Sequence, residues 1–237
     1  MKSSRFHNIE IRGGESVDGF MEGRIKLIQS RSGYRFSSDA LLLSEFITLR
    51  DGDVVVDLGT GCGIIPLILI LTRTVNHVIG LEIQAELADQ ALRNAMLNNR
   101  KGKMTVIRGD IRQAPFCSAS VDVVVCNPPY RKANSGRVNP DRQKAIARHE
   151  ILTSLDDILQ TAGRILKAKG RIAMIYPAER LTDLLVKMRE FRLEPKRMKI
   201  IYPAIKADAN LVMIEASLGG GGGLKILPPA EGEGRQV

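Results

Sequence analysis

The sequence predicts an α/β fold built on a mostly parallel sheet, and three features carry that prediction. From Asp53 onward, short apolar runs rich in valine and isoleucine alternate with stretches of helical periodicity, the pattern of βαβ units. The last two apolar runs are joined only by Pro203 to Asn210, too short for a crossover helix, so they are expected to pair antiparallel. With 237 residues, 44% hydrophobic and 26% charged, the chain has the size and composition of one folded domain with appendages, which excludes a disordered or fibrous protein.

Taken in order, Arg24 to Ser30 alternates like a strand, Arg31-Ser32-Gly33 turns, and Tyr34-Arg35-Phe36 returns, so a hairpin is expected there. Ser37 and Ser38 offer N-caps for a short helix through Phe46, with Leu41, Leu42 and Phe46 as its apolar face. Strands follow at Val54 to Val56, Val78 to Leu81, Met104 to Ile107, Val121 to Cys126 and Ile172 to Tyr176. The stretches Ile64 to Arg73 and Ala85 to Asn99 read as crossover helices, and Ile151 to Lys167 and Glu179 to Phe191 as two more amphipathic helices. Arg197 to Tyr202 and Leu211 to Ser217 are the final pair of strands. Gly219 to Gly223 reads as a flexible joint before a polar, disordered tail. The chain therefore divides into an extension over residues 1–50, a main domain over 51–218 and a tail over 219–237.

Lys plus Arg numbers 35 against 26 for Asp plus Glu, a net charge of +9, which favours a polyanionic partner such as a nucleic acid. Cys62, Cys117 and Cys126 form no CxxC pair, so neither a structural metal nor a disulfide framework is expected. The start of the chain lacks the apolar stretch of a secretion signal, and the longest apolar run, Ile64 to Leu71, is far short of a bilayer span; a cytoplasmic protein without a membrane segment is expected. Tryptophan is absent and aromatics make up 4%, so base recognition must rely on few rings.

The first strand of the main domain ends in Asp57-Leu58-Gly59-Thr60-Gly61-Cys62-Gly63 and runs straight into a helix. Gly59, Gly61 and Gly63 let the backbone approach a ligand at a helix N-terminus. Asp57, just before the loop, suits a cationic ligand and would repel a diphosphate. The second strand ends in Glu82, whose carboxylate can accept both hydroxyls of a ribose. The third ends at Gly109-Asp110-Ile111, where Asp110 can accept from an adenine amino group while Ile83 and Ile111 cover the ring. A cationic adenosine ligand is S-adenosylmethionine. Singly, each residue reads equally well as a tight turn or a helix cap; together and in order they read as a cofactor site.

The fourth strand ends in Asn127-Pro128-Pro129-Tyr130. Two prolines stiffen the loop and push their predecessors to extended geometry. The Asn127 side-chain oxygen and the Pro128 carbonyl are then two converging acceptors for a planar NH₂ group, and Tyr130 can stack on its base. Such an amine is a poor nucleophile because its lone pair is delocalised. Accepting both N–H bonds draws the nitrogen toward tetrahedral geometry and offsets the positive charge that it gains on attack.

Asp57 to Gly63, Glu82, Asp110 and Asn127 to Tyr130 resemble, in order and within residues 53–217, the motifs of class I S-adenosylmethionine-dependent amino-methyltransferases. Tyr34 to Leu43 and Ala147-Arg148-His149-Glu150 further resemble the valine-tRNA adenine-N(6) methyltransferase family, which modifies the adenine just 3′ of the anticodon. Several relatives carry Thr-Asp where this chain has Ser38-Asp39. The resemblance implies a Rossmann-like fold with a seven-stranded sheet whose last strand is antiparallel and with helices on both faces. It also implies tRNA as substrate. Asp39 can touch the cofactor or order the start of the short helix before Phe46.

Arg131, Lys132, Arg137, Arg142, Lys144 and Arg148 follow the Asn-Pro-Pro-Tyr motif against one acid, Asp141; a basic loop beside a base-sized site can clamp phosphates. A second cluster, Lys187, Arg189, Arg192, Lys196, Arg197 and Lys199, is tempered by Glu190 and Glu194 and reads as either an RNA face or a solvated one. His149 can carry away the proton after transfer, or cap the helix that follows. Two other functions stay open. A glutamine amide on a protein such as a translation release factor offers the same two N–H donors, and a non-catalytic nucleic-acid-binding module could retain the fold.

Overall fold

In the computed structural model the described residues are 9–32, 35, 38–128, 153–204 and 206–231. The chain opens with an antiparallel hairpin, β1 (Glu15–Phe20) and β2 (Ile25–Ser30), followed by α1 (Asp39–Phe46). The alternating part comprises β3 (Val54–Leu58), α2 (Ile64–Thr72), β4 (His77–Glu82), α3 (Ala85–Leu97), β5 (Met104–Arg108) and β6 (Val121–Cys126). Beyond it come α4 (Leu155–Ile165), β7 (Leu166–Pro177), α5 (Leu181–Glu190), β8 (Leu193–Tyr202), β9 (Leu211–Leu218) and two short strands, β10 (Lys225–Ile226) and β11 (Ala230–Glu231).

The sheet runs in the order β10-β8-β9-β7-β6-β3-β4-β5, with β11 also on β8. Every pair is parallel except those of β9, which lies antiparallel between β7 and β8 as its short link to β8 requires. Alternate side chains on each strand enter opposite layers. Val55, Val123, Val125, Ala173 and Ile175 join the core under α2 and α3, whereas Val56, Leu58, Val124, Cys126, Ile172 and Met174 join the one under α4 and α5.

α2 is buried on every side from Ile64 to Ile70, which a helix apolar all round requires. The sheet covers one side; Ile25, Leu27, Ala40, Leu43 and Phe46 of the hairpin and α1 join the same core. The N-terminal extension thus contributes to the main core.

Four local expectations are corrected. The hairpin partner of β2 precedes it: the chain reverses at Met21, Glu22 and Gly23, all with positive φ, and Val17 faces Ile28. Glu15–Phe20 is polar and contains Asp18 and Gly19, so its strand character comes from pairing and not from propensity. The buried residues of α1 are Asp39, Ala40, Leu43, Ser44 and Phe46, with Leu41 and Leu42 only half-buried. α4 is shorter than its periodicity suggests because Ser154 and Asp157 close a capping box at one end and β7 begins directly at Leu166. Finally, Gly219 to Gly223 returns the chain to the sheet: the Lys196 ammonium donates to the Gly221 and Gly222 carbonyls, and β10 and β11 line the outer edge of β8, adding two short strands to the seven expected.

Candidate functional site

The carboxyl ends of β3, β4, β5 and β6 lie side by side, with Leu58 registered against both Leu81 and Cys126, and Glu82 against Arg108. Strand order reverses between β3 and β6, and in an open α/β sheet the crevice at such a switch point is where ligands bind. This edge gathers the glycine loop, Glu82, Ile83, Asp110, Ile111 and Asn127.

The loop's shape is specified by hydrogen bonds from its own backbone. Gly59 and Thr60 both donate to the Leu81 carbonyl at 2.9 and 3.0 Å, and Gly63 donates to Thr60 at 3.0 Å. Gly59, Gly61 and Gly63 all have positive φ, 78, 57 and 84°, where any other residue would be strained. A Cβ on Gly59 would enter open space, so a ligand can come close there; one on Gly63 would lie 2.7 Å from the Met104 methyl. Gly80 is glycine for a related reason: a Cβ there would fall 2.7 Å from the Thr60 side chain.

Asp57 is 1% exposed, and both its oxygens and the Thr60 hydroxyl are buried without a hydrogen-bond partner. Burial pushes the Asp57 carboxyl up to about 7; the nearby Thr60 hydroxyl opposes the rise and the charge of Glu82 adds to it. An orphaned carboxylate beside an open glycine cradle fits a cationic ligand. Burial likewise pushes the Cys62 thiol up to about 12 and the Cys126 thiol well above its ordinary range, so neither supplies a thiolate near neutrality.

Glu82 is buried and already holds the loop: Oε2 accepts from the Gly61 N–H and Oε1 from the Gln84 N–H, each at 2.9 Å. A carboxylate has about four acceptor sites, so each oxygen keeps capacity for one ribose hydroxyl. Asp110 is clasped by Arg112, whose Nε and Nη2 reach its oxygens at 3.1 to 2.5 Å and whose backbone N–H donates at 2.9 Å. That ion pair holds the Asp110 carboxyl below its usual range. Arg112 must therefore release one bond for Asp110 to accept from an adenine, and its guanidinium is half exposed to solvent.

Ile83 and Ile111 are half-buried at the ends of β4 and β5, and Asn127 is half-buried and Pro128 buried directly after β6. Asp39 is buried at the start of α1, which packs against α2 and β7. Pro129, Tyr130, Arg131, Lys132, Arg137, Arg142, Arg148 and His149 lie outside the described residues.

The second basic cluster is largely spoken for. Lys187 pairs with Asp156 and Arg189 with Glu194, while Arg197 bonds Thr48 and the Phe46 carbonyl and pairs with Glu215. A cavity of about 360 Å³ lies at the other end of the strands, lined by Arg50, Lys169, Arg171, Lys196, Glu215 and the turn at Gly219. Its innermost charges are internally matched, Arg171 to Asp53 and Glu215 to the Thr48 N–H and Arg197. Among the described residues no group of three or more His, Cys, Asp or Glu side chains is placed to hold a metal, and no helix is long and apolar enough to cross a membrane.

Residues 49–216, which carry the switch-point edge and its glycine loop, match a family model described as a methyltransferase domain. The chain belongs to the methyltransferase family. This methyltransferase is 30% identical over 190 residues to the tRNA1(Val) (adenine(37)-N6)-methyltransferase of Porphyromonas gingivalis, covering 77% of this chain and 74% of that protein. It is 29% identical over 197 residues to the protein of the same name from Tolumonas auensis, covering 79% and 80%. Among solved structures, a predicted O-methyltransferase from Agrobacterium tumefaciens superposes with a TM-score of 0.65 at 19% identity, over 84% of this chain and 90% of that one. The geranyl diphosphate C-methyltransferase of Streptomyces coelicolor, in complex with S-adenosyl-L-homocysteine, gives 0.57 at 17% identity, over 76% and 78%. These structures share the fold and differ in the atom methylated, so the acceptor must be argued from residues.

Sequence reading missed Asn94, whose side chain is fully buried and donates to the Cys62 carbonyl within the glycine loop at 2.9 Å. The available signal was a polar residue between Ala91 and Ala95 on the inward stripe of α3.

Proposed function

We propose that the protein transfers the methyl group of S-adenosylmethionine to the exocyclic amine of an adenine in tRNA, the nucleotide just 3′ of the anticodon. One observation carries the reading: the unpartnered Asp57 carboxylate and open glycine cradle share a sheet edge with Asn127 and Pro128. The cofactor is S-adenosylmethionine, which supplies an electrophilic methyl on a sulfonium centre. Asp57 offers the ligand's positive charge a carboxylate in a dry setting, where electrostatic attraction is strong. Glu82 orients the ribose, and Gly59 leaves room for the ligand to lie against the backbone.

At the acceptor, the Asn127 oxygen and the Pro128 carbonyl take the two N–H bonds of the amine. Both bonds strengthen as the nitrogen gains positive charge, so they stabilise the transition state more than the ground state. Tyr130 holds the base by stacking, and the excess proton leaves after transfer, with His149 a candidate to accept it. Arg131, Lys132, Arg137, Arg142 and Arg148 grip the RNA backbone. The names of the relatives support tRNA as the substrate, and the cytoplasm, where tRNA is used in translation, is the proposed site of action.

The test is methyl transfer from labelled cofactor to tRNA from a strain lacking the enzyme, with the product nucleoside mapped by mass spectrometry. N6-methyladenosine beside the anticodon is the expected product. Methylation of a release-factor glutamine instead would show that the amide is the true acceptor, and no transfer to either would leave a binding module.

A further inference from the structure

The N-terminal hairpin is seated on α3 by a single helix face. Near its open end, Glu15 makes a two-bond ion pair with Arg93 at 2.6 and 2.7 Å, both side chains only 8% exposed, and Gln90 adds a hydrogen bond at 3.0 Å. One turn further along α3, Asn94 accepts from the Ile28 N–H at 2.7 Å and donates to the Ile28 carbonyl at 3.1 Å. Asn98 repeats the pattern on Lys26, accepting at 2.9 Å and donating at 2.7 Å. Residues four apart on a helix rise about 6 Å, and residues two apart on a strand about 6.8 Å, so two asparagine amides can stand in for a neighbouring strand along the edge of β2 that faces away from β1.

Asn94 does one thing that Asn98 does not. The same NH₂ that donates to Ile28 also donates to the Cys62 carbonyl. The glycine loop is therefore held from the sheet by Glu82 at Gly61 and from the helix layer by Asn94 at Cys62. We propose that Asn94 is a positioning residue that sets the conformation of the cofactor loop and couples it to the docked hairpin. The consequence for S-adenosylmethionine rests on the function proposed above; the loop's conformation does not.

The experiment compares Asn94→Ala with Asn98→Ala, which removes the Lys26 bonds and leaves the Cys62 bond in place. In ligand-free protein, amide exchange from Cys62 to Ile65 should quicken about tenfold in Asn94→Ala and stay within twofold of native in Asn98→Ala, while β2 amides quicken in both. Calorimetry should show S-adenosylmethionine affinity about tenfold lower in Asn94→Ala and within twofold of native in Asn98→Ala, with kcat at saturating cofactor nearly unchanged in both. Native loop exchange in a folded Asn94→Ala protein overturns the proposal, and so does equal loop loosening in both variants, which would make the hairpin alone responsible. Loosening of the loop without any cofactor binding by native protein would refute the cofactor and leave the positioning role standing. If Asn94→Ala does not fold, native protein decides: reciprocal coupling requires bound cofactor to slow exchange of the Ile28 amide severalfold, and no change there overturns the coupling.

Discussion

On the proposed function, the buried Asp57 carboxyl makes cofactor binding depend on pH in a definite direction. Its ordinary value of 3.8 is raised to about 7 by burial. A cationic ligand favours the ionised form, so below pH 7 the free protein must release a proton on binding. If only the ionised form binds, the apparent Kd scales as 1 + 10^(7 − pH): a factor of about 2 at pH 7 and about 30 at pH 5.5, so affinity falls roughly fifteenfold between them. The window stops at pH 7 because the ligand's own α-amino group titrates near pH 8. Calorimetry in buffers of different ionisation enthalpy should show release of about half a proton at pH 7 rising toward about one at pH 5.5. Asp57→Asn should bind weakly with a flat profile. Affinity that does not change across this window in the native protein, or that falls equally steeply in the Asn variant, would refute the assignment. The sign for stability follows from the same shift. The native state holds its proton more tightly than the unfolded chain, so ligand-free stability falls as pH rises from about 4 through 7, by an amount on the order of 4 kcal/mol. Asp57→Asn should therefore melt higher than native at pH 8 without cofactor and differ little at pH 4.

The other expectations concern acceptor, substrate and seat. Asn127→Ala should retain cofactor affinity and lose transfer by about a hundredfold or more in kcat, the scale for removing one preorganised polar group at a developing charge; near-native single-turnover rates at saturating tRNA would sink the mechanism. Changing Arg131, Lys132, Arg137 and Arg142 together to Ser should weaken tRNA binding and lower its salt slope by roughly 0.7 to 0.9 per lost phosphate contact, with cofactor binding intact. A full salt slope in that variant would remove this loop from the RNA interface. Arg93 holds the Glu15 carboxyl down to about 2 from an ordinary 4.5, so the stability that the pair gives the hairpin is present above about 4.5 and lost as pH falls toward 2. Exchange of β1 and β2 amides across that range should show the hairpin releasing first, and Glu15→Gln should flatten the response.

Much of the candidate site was legible because it is local chemistry. A glycine loop between strand and helix, an acid before it and acids closing the next two strands follow one another in chain order. βαβ topology brings strand ends to one edge whatever else the chain does. Asp57, Gly59, Gly61, Gly63 and Glu82 thus stand together where their spacing put them. The antiparallel β9 was equally readable, since a short link between two strands permits one direction only.

The sequence by itself determined the order of strands and helices from β3 to β9, the glycine loop between β3 and α2 and the Asn127-Pro128 step after β6, because each depends on residues adjacent in the chain. Only the tertiary structure decided what was paired across distance. It chose polar Glu15–Phe20 as the partner of β2, seated that hairpin on Arg93, Asn94 and Asn98, and tied Asn94 into the loop at Cys62. It also matched Lys187, Arg189, Lys196 and Arg197 of the second basic cluster to acids and carbonyls, and laid the segment after Gly223 along β8. The physical reason is common to these cases. A backbone edge or a charged side chain accepts many partners of equal chemistry, and which one it meets is set by the packing of the layers that bring them within reach.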